Sequence, residues 1–459
     1  MRIILISAAL IIAAVFLPAN QASAAIFTNL YIFSTDGFTA SSMETNADGV
    51  GPDSLVLVGN TLYGTADSGG AFGGGTFFRV DTDGTHFTNL FSFTPGAYDV
   101  KTGFYTNSTG VEPNPGLLLV SNTFYGTAFG GGAHDAGTVF KINPDGSGFS
   151  VIEDFAFTNG QGPSSGLTLY GNVLYGTTVG GGTNSSGNGT VFAISLGNLA
   201  FSEILQFTNE ADPYGGLAVN SNGMFGFAYS GGRYNDGFVY RVDGAAFTDL
   251  FDFNHTNGWA PYATPTLSGN TLYGVTFQGG TNGSGNIFRL DTDGLNFTNL
   301  YDFSPAGAAN MDGLQPYDFT GLVLSGNTLY GTSAFGGSGA QGTVFQISTS
   351  GTGFTVLHSF QYTDGSDPYT LLLSGGVLYG AALTGVQGIS LGDGSIFKIS
   401  LLPSLQIARV GASLVLTWND PSYSLYRAPT LTNAFTEISG AASPYTNGIS
   451  GTQFYFQLK

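Results

Sequence analysis

Apolar and polar residues alternate in short runs along most of the chain. In Leu167-Thr168-Leu169-Tyr170 and again from Val173 to Thr178 the period is two, which predicts strands that bury one face. Gly171-Asn172 between them is a two-residue hairpin turn of the kind that needs positive φ angles. A glycine-rich loop, Val179 to Gly189, leads to a third strand at Thr190 to Ile194 and a fourth at Phe201 to Phe207. The fourth stretch follows the pattern F-x-x-L-x-x-F, with apolar positions three apart, and on periodicity alone it fits one face of a helix. Seven residues make a poor helix. The aromatic and β-branched content, and the Asp-Gly turn that precedes it in other copies (Asp83-Gly84, Asp293-Gly294), favour a strand apolar on both faces.

This four-strand unit, A to D, recurs. The Tyr-Gly step of strand B falls at Tyr63, Tyr125, Tyr175, Phe225, Tyr273, Tyr330 and Tyr379, at intervals of 48–62 residues. Strand C is centred on Phe78, Phe140, Phe192, Tyr240, Phe288, Phe345 and Phe397, and strand D begins at Phe27, Phe87, Phe149, Phe201, Phe247, Phe297 and Phe354. Periods of this length mark propellers, solenoids or arrays. The offset between motifs decides among them. The first D motif precedes every A strand, and the last C strand has no D strand after it. A ring explains this if residues 27–33 complete the last sheet, leaving only short, protected edges. The fold expected is therefore all-β: a seven-bladed β-propeller over residues 25–400, closed by its N-terminal strand. Residues 401–459 break the repeat into five short strand patterns and are expected to form a small β-sandwich-like module, with Trp418 in its core.

The repeat strings G-N-T-L-Y-G-T, G-G-G, G-T-V-F-K-I and F-T-x-L-x-x-F resemble the GloVer tandem repeat of secreted bacterial proteins, across Ile26 to Ser400. They are similar, more loosely, to kelch repeats, although strand D here carries Phe where kelch repeats place Trp. The tail resembles a short fibronectin-III-like module. These resemblances imply a propeller and no particular activity.

Composition narrows the partners. Arg2, the apolar run Ile3 to Leu17 and Ala22-Ser23-Ala24 read as a signal peptide over residues 1–24, so a secreted or cell-surface protein without a spanning segment is expected. The chain has no cysteine, and a core of this size needs no disulfides. A formal charge of −19 removes the basic footprint that nucleic acid requires. Only 9% of residues are charged, leaving a neutral-polar surface suited to glycans, cell-wall polymers or an inert exterior. A monomer is expected.

Candidate chemistry is sparse. His86, His134, His255 and His358 occupy unrelated repeat positions and suggest neither a metal shell nor a triad. The Asp-Thr-Asp-Gly runs at Asp81 and Asp291 are too short for a calcium loop and read as turns. No metal, cofactor or catalytic residue is assigned. Alternating strand order gathers the long B–C and D–A loops on one face. That face carries Asp99, Glu112, Glu210, Asp212, Asp312, Asp318 and Asp367, from which a glycosidase pair would have to come. A proline opens strand A in every copy (Pro52, Pro113, Pro163, Pro213, Pro261, Pro316, Pro368). The residue after it is Asp53, Asn114 or Ser164 in the first three blades and Tyr214, Tyr262, Tyr317 or Tyr369 in the rest. With strand A innermost, these tyrosines and Trp259 are expected to line one mouth of the channel as a binding arc, or else to pack against their own prolines. The leading functional expectation is a non-enzymatic binding or adhesion module for a polysaccharide or surface protein. The alternatives are a carbohydrate-active hydrolase or lyase and a structural envelope protein.

Overall fold

Six consecutive meanders and one composite sheet make up the repeat region. The computed structural model describes residues 4–6, 25–34, 37–38, 44–99, 104–183, 187–208, 211–307, 310–316, 320–385, 394–401, 406–410, 413–417, 424–428, 435–443, 445–448 and 454–458. The chain divides into a larger unit, Phe27–Leu372 with Tyr379–Lys398, and a smaller one of Met1–Ile26, Leu373–Leu378 and Ile399–Lys459.

Blade 1 runs Val50–Val58, Thr61–Ser68, Thr76–Asp81, Thr88–Ser92, every neighbour antiparallel. Blades 2 to 6 repeat this order, and blade 2 splits its A strand into Val111–Pro113 and Leu118–Val120. Blade 7 takes strands A to C from Ser366–Ser374, Val377–Thr384 and Ser395–Ser400, and its fourth strand is Ile26–Ile32. The fold is a seven-bladed β-propeller sealed by its first strand, as the motif offset requires. Phe33 N–H donates to the Gly394 carbonyl at 3.0 Å across that seam.

The period-three pattern of strand D has a structural cause. Each C–D pairing that is resolved shifts register by one residue, as between Val139 and Phe140, where Phe140 faces Val151 and Val139 faces Glu153. The same shift recurs at Phe77/Phe78, Val191/Phe192, Val239/Tyr240, Ile287/Phe288 and Val344/Phe345. A bulge adds one residue to strand D, and it falls on the Leu of F-x-x-L-x-x-F. The strand reading is right, and the helix-like spacing is a bulge.

Blades meet through aromatic rings. The last Phe of each D motif packs edge-to-face on the strand-C aromatic of the next blade, with centroids 5.1–5.4 Å apart and planes at 64–74° in all seven junctions. The wheel closes by the same contact, Phe33 on Phe78. Nearer the rim, five junctions add a parallel stack onto the first Phe of the next D motif: Tyr31–Phe87, Phe91–Phe149, Phe251–Phe297, Tyr301–Phe354 and His358–Phe27. His358 is thus a flat ring in a structural stack, held by Asp364 at 2.9 Å. The Tyr-Gly glycine seats the strand-C ring opposite it. A Cβ on Gly126 would lie 2.5 Å from Phe140 Cζ.

The smaller unit holds two sheets. Gln406–Val410, Ser413–Thr417 and Tyr445–Gly448 form one, and Ile4–Ile6, Phe454–Leu458, Leu425–Ala428 and Thr436–Glu437 form the other. All five strands expected in the tail have a counterpart here, and Ile4–Ile6 and Tyr445–Gly448 are additional. Trp418 and most of the apolar leader lie outside the described residues.

Candidate functional site

The proline at the head of strand A does more than open a strand. In blade 5 its ring lies against Gly237, and in blade 6 against Gly285, each the glycine that enters strand C of the preceding blade. Pro52 meets Gly394 in the same way, across the closure. Only in blades 1, 2 and 7 is the proline inside a strand. In the others strand A begins several residues later, as at Thr168 or Thr266.

The residue before the proline is left-handed in six blades: Gly51, Glu112, Gly162, Ala260, Gln315 and Asp367, with φ between 54° and 65°. Four of these are not glycine, which stores strain at the inner edge of the ring. The turn lets the N–H point at the preceding blade. Glu112, Gly162, Ala260, Gln315 and Asp367 each donate there to a backbone carbonyl, at 2.9–3.1 Å.

This geometry sets the post-proline residues around the inner rim. A cavity of about 290 Å³ opens there, lined by Asp53, Asp67, Glu112, Asn114, Phe129 and Ser164 among others, with Tyr214 and Tyr369. It lies where A strands begin and B strands end, which is the long-loop face. Two of the four arc tyrosines therefore line one cavity. Tyr369 is almost wholly buried and Tyr214 half-buried. Tyr262 does not line the cavity. It packs on Tyr214 (5.3 Å), Tyr229 (4.7 Å) and Phe277 (5.7 Å), extending the aromatic cluster around the ring. Trp259 pairs its backbone with Gln278 and stacks on His255, whose Nδ1 meets Asp236 at 2.7 Å. Tyr317 lies outside the described residues.

The neutral polar groups of the lining are hydrogen-bonded within their own blade and to the next. Asn114 Nδ2 donates to the Pro163 carbonyl at 2.5 Å and to Thr127 Oγ1 at 3.2 Å. Ser164 Oγ donates to the Tyr214 carbonyl at 2.9 Å. Asp53, 3% exposed, accepts from Thr65 Oγ1 at 2.7 Å. Burial holds the Asp53 carboxyl well above the ordinary carboxylate range, and the charge of Asp67 adds to this. Glu112 is raised by burial and then by Asp135, and the Tyr214 hydroxyl by burial, Asp212 and Tyr229.

The other carboxylates of the long-loop face are not gathered here. Asp312 accepts from Tyr301 Oη and Ser304 within its own loop, and Asp212 from Ser230 Oγ. Asp99 stands in the short hairpin Ala97–Asp99/Phe104–Thr106, and Glu210 and Asp318 lie outside the described residues. Among the described residues no cluster of three His, Cys, Asp or Glu is arranged to hold a metal. The Asp81 and Asp145 turns are local: Asp83 accepts from Thr85 and Asp145 from Ser147, each through both backbone and hydroxyl.

Sequence reasoning misses Asp67, Phe129 and Leu383. Each stands three residues after the Tyr-Gly glycine, the position filled by Tyr229 and Phe277 in the aromatic cluster. A signal was present: that position changes from copy to copy while the residue before it stays small, Ala, Thr or Ser.

The Gloeobacter/Verrucomicrobia repeat is matched over residues 90–258 and again over 224–410. The chain belongs to this repeat family. No curated protein matches it. Among solved structures, the Gloeobacter/Verrucomicrobia repeat chain is similar to a Niastella koreensis GH74 enzyme at 12% identity, covering 90% of this chain and 60% of that one, with a TM-score of 0.48. BamB from Moraxella catarrhalis is matched at 12% identity over 82% of this chain and 98% of that one, with a TM-score of 0.44. The computationally designed Ika8 protein is matched at 15% identity over 81% and 100%, with a TM-score of 0.41.

Proposed function

We propose that the protein is a secreted, non-enzymatic binding propeller whose channel mouth takes a glycan or cell-wall polymer. The observation that carries this reading is the cavity shared by the rings of Tyr214, Tyr369 and Phe129 on the face that bears the long loops. Its size is near the lower end of small-molecule pockets, roughly 300 Å³, so it suits one sugar unit or a chain end. The apolar leader supports export.

The test is retention of the chain on a panel of immobilised polysaccharides and peptidoglycan, with assay for released product. Phe129→Ser and Tyr214→Ser are expected to weaken retention about tenfold or more while leaving thermal unfolding nearly unchanged for the exposed Phe129. Undiminished retention in both variants removes the cavity as the site. Product release that depends on Glu112 replaces the binding reading with an enzymatic one.

A further inference from the structure

Resting on that reading, we propose that the group received by the cavity is an organic ammonium, the free amino group of an amino-sugar unit in a glycan. The ionisable side chains of the lining are three carboxyls, Asp53, Asp67 and Glu112, with the tyrosines Tyr214 and Tyr369. No Lys, Arg or His lines it. Its amide and serine hydroxyl donate elsewhere: Asn114 to Pro163 and Thr127, Ser164 to Tyr214. Apart from the two tyrosine hydroxyls, the ionisable groups of the lining are carboxyls, and a ligand that brings donors complements them. A carboxyl as enclosed as Asp53, 3% exposed, is costly to ionise without a cation beside it.

The kind of cation follows from spacing. A divalent metal needs several oxygens converging on one point, and among the described residues no such group of three exists. An ammonium carries its three donors on one nitrogen and needs fewer oxygens at longer reach, about 2.7–2.9 Å, so one carboxylate beside a ring face can hold it. It is also the cation that aromatic faces attract, and Phe129 and Tyr214 share this wall. The carboxyls and rings together describe a charged amine carried on a sugar, rather than an ion alone.

Isothermal titration of the full chain at pH 6, with the tetramer of glucosamine and its fully N-acetylated counterpart, tests this. The free amine should bind at least tenfold more tightly. Glu112→Gln should cut affinity for the amine about tenfold and leave the acetylated tetramer unchanged. This variant is expected to fold, because Gln315 holds the same left-handed position in blade 6. Since an acidic protein attracts any polycation, Asp243→Asn, on an exposed turn of the opposite face, is the control and should change nothing. Equal affinity for both tetramers overturns the ammonium inference and leaves glycan binding at the mouth standing. Equal loss in Asp243→Asn, or displacement of the amine by calcium in a Glu112-dependent manner, also overturns it. If neither tetramer binds while a neutral glycan is retained through Phe129, the inference alone falls. If no glycan is retained, both readings fall.

Discussion

Tyr240 is the one strand-C aromatic that is not phenylalanine, and its buried hydroxyl has no hydrogen-bond partner among the described residues. Burial alone pushes its ionisation upward, so the group stays neutral, yet it still forgoes the bonds it makes with water. Tyr240→Phe is therefore expected to be neutral or to stabilise by about 1 kcal/mol, read as a higher urea midpoint at unchanged slope. A drop of similar size would mean that the hydroxyl has a partner.

At the scale of the element, each D strand joins neighbouring blades through an edge-to-face ring pair, and five of the seven add a parallel stack. Phe27 shows this most directly. It lies on the closing strand, stacks on His358 at 3.8 Å and also touches Phe360 and Phe397. Phe27→Ala removes a stack that ties blade 7 to blade 6, and a loss of about 3 kcal/mol is expected by denaturant titration. Hydrogen exchange should then show the seam opening before the other blades. Uniform protection across the ring would count against the seam as the weak point. The strand pattern was readable in the sequence because alternation and Asp-Gly turns are local. The bulge was not, since an added residue in one strand is defined only by its partner. The left-handed turn before each proline was equally hidden: Glu112, Ala260, Gln315 and Asp367 share a conformation without sharing a side-chain chemistry.

For the whole molecule, closure was legible from where motifs begin and end, because a ring leaves a remainder that a stack does not. The lining of the candidate cavity was half legible. Repetition encodes what each blade does for its neighbours, and the cavity is lined by departures from it. The post-proline switch gave Tyr214 and Tyr369, whereas Asp67 and Phe129 needed the fold to bring strand-B ends to the same rim. Electrostatics adds a global signature. Asp367, largely buried, is raised to about 7 by desolvation, above its unfolded value near 4. The folded chain then holds the proton over that interval, so this group's contribution is full below pH 4 and lost as pH climbs to 7. Asp53 and Glu112 act in the same direction. Stability should decline from pH 5 to pH 8, and Asp367→Asn should flatten the decline, gaining over the parent chain chiefly at pH 8. Parallel urea curves at the two pH values decide it, and an equal gain at both would assign the effect to packing.

Sealing a circle with its own first strand imposes an order on biogenesis. Ile26–Ile32 emerges ahead of every other strand of the ring, yet its partner Ser395–Ser400 is made some 370 residues later. For that whole interval an unpaired, aromatic-rich ribbon stays available to any passing strand edge. Whatever holds it apart until that partner is made is as much a requirement of this architecture as its rings.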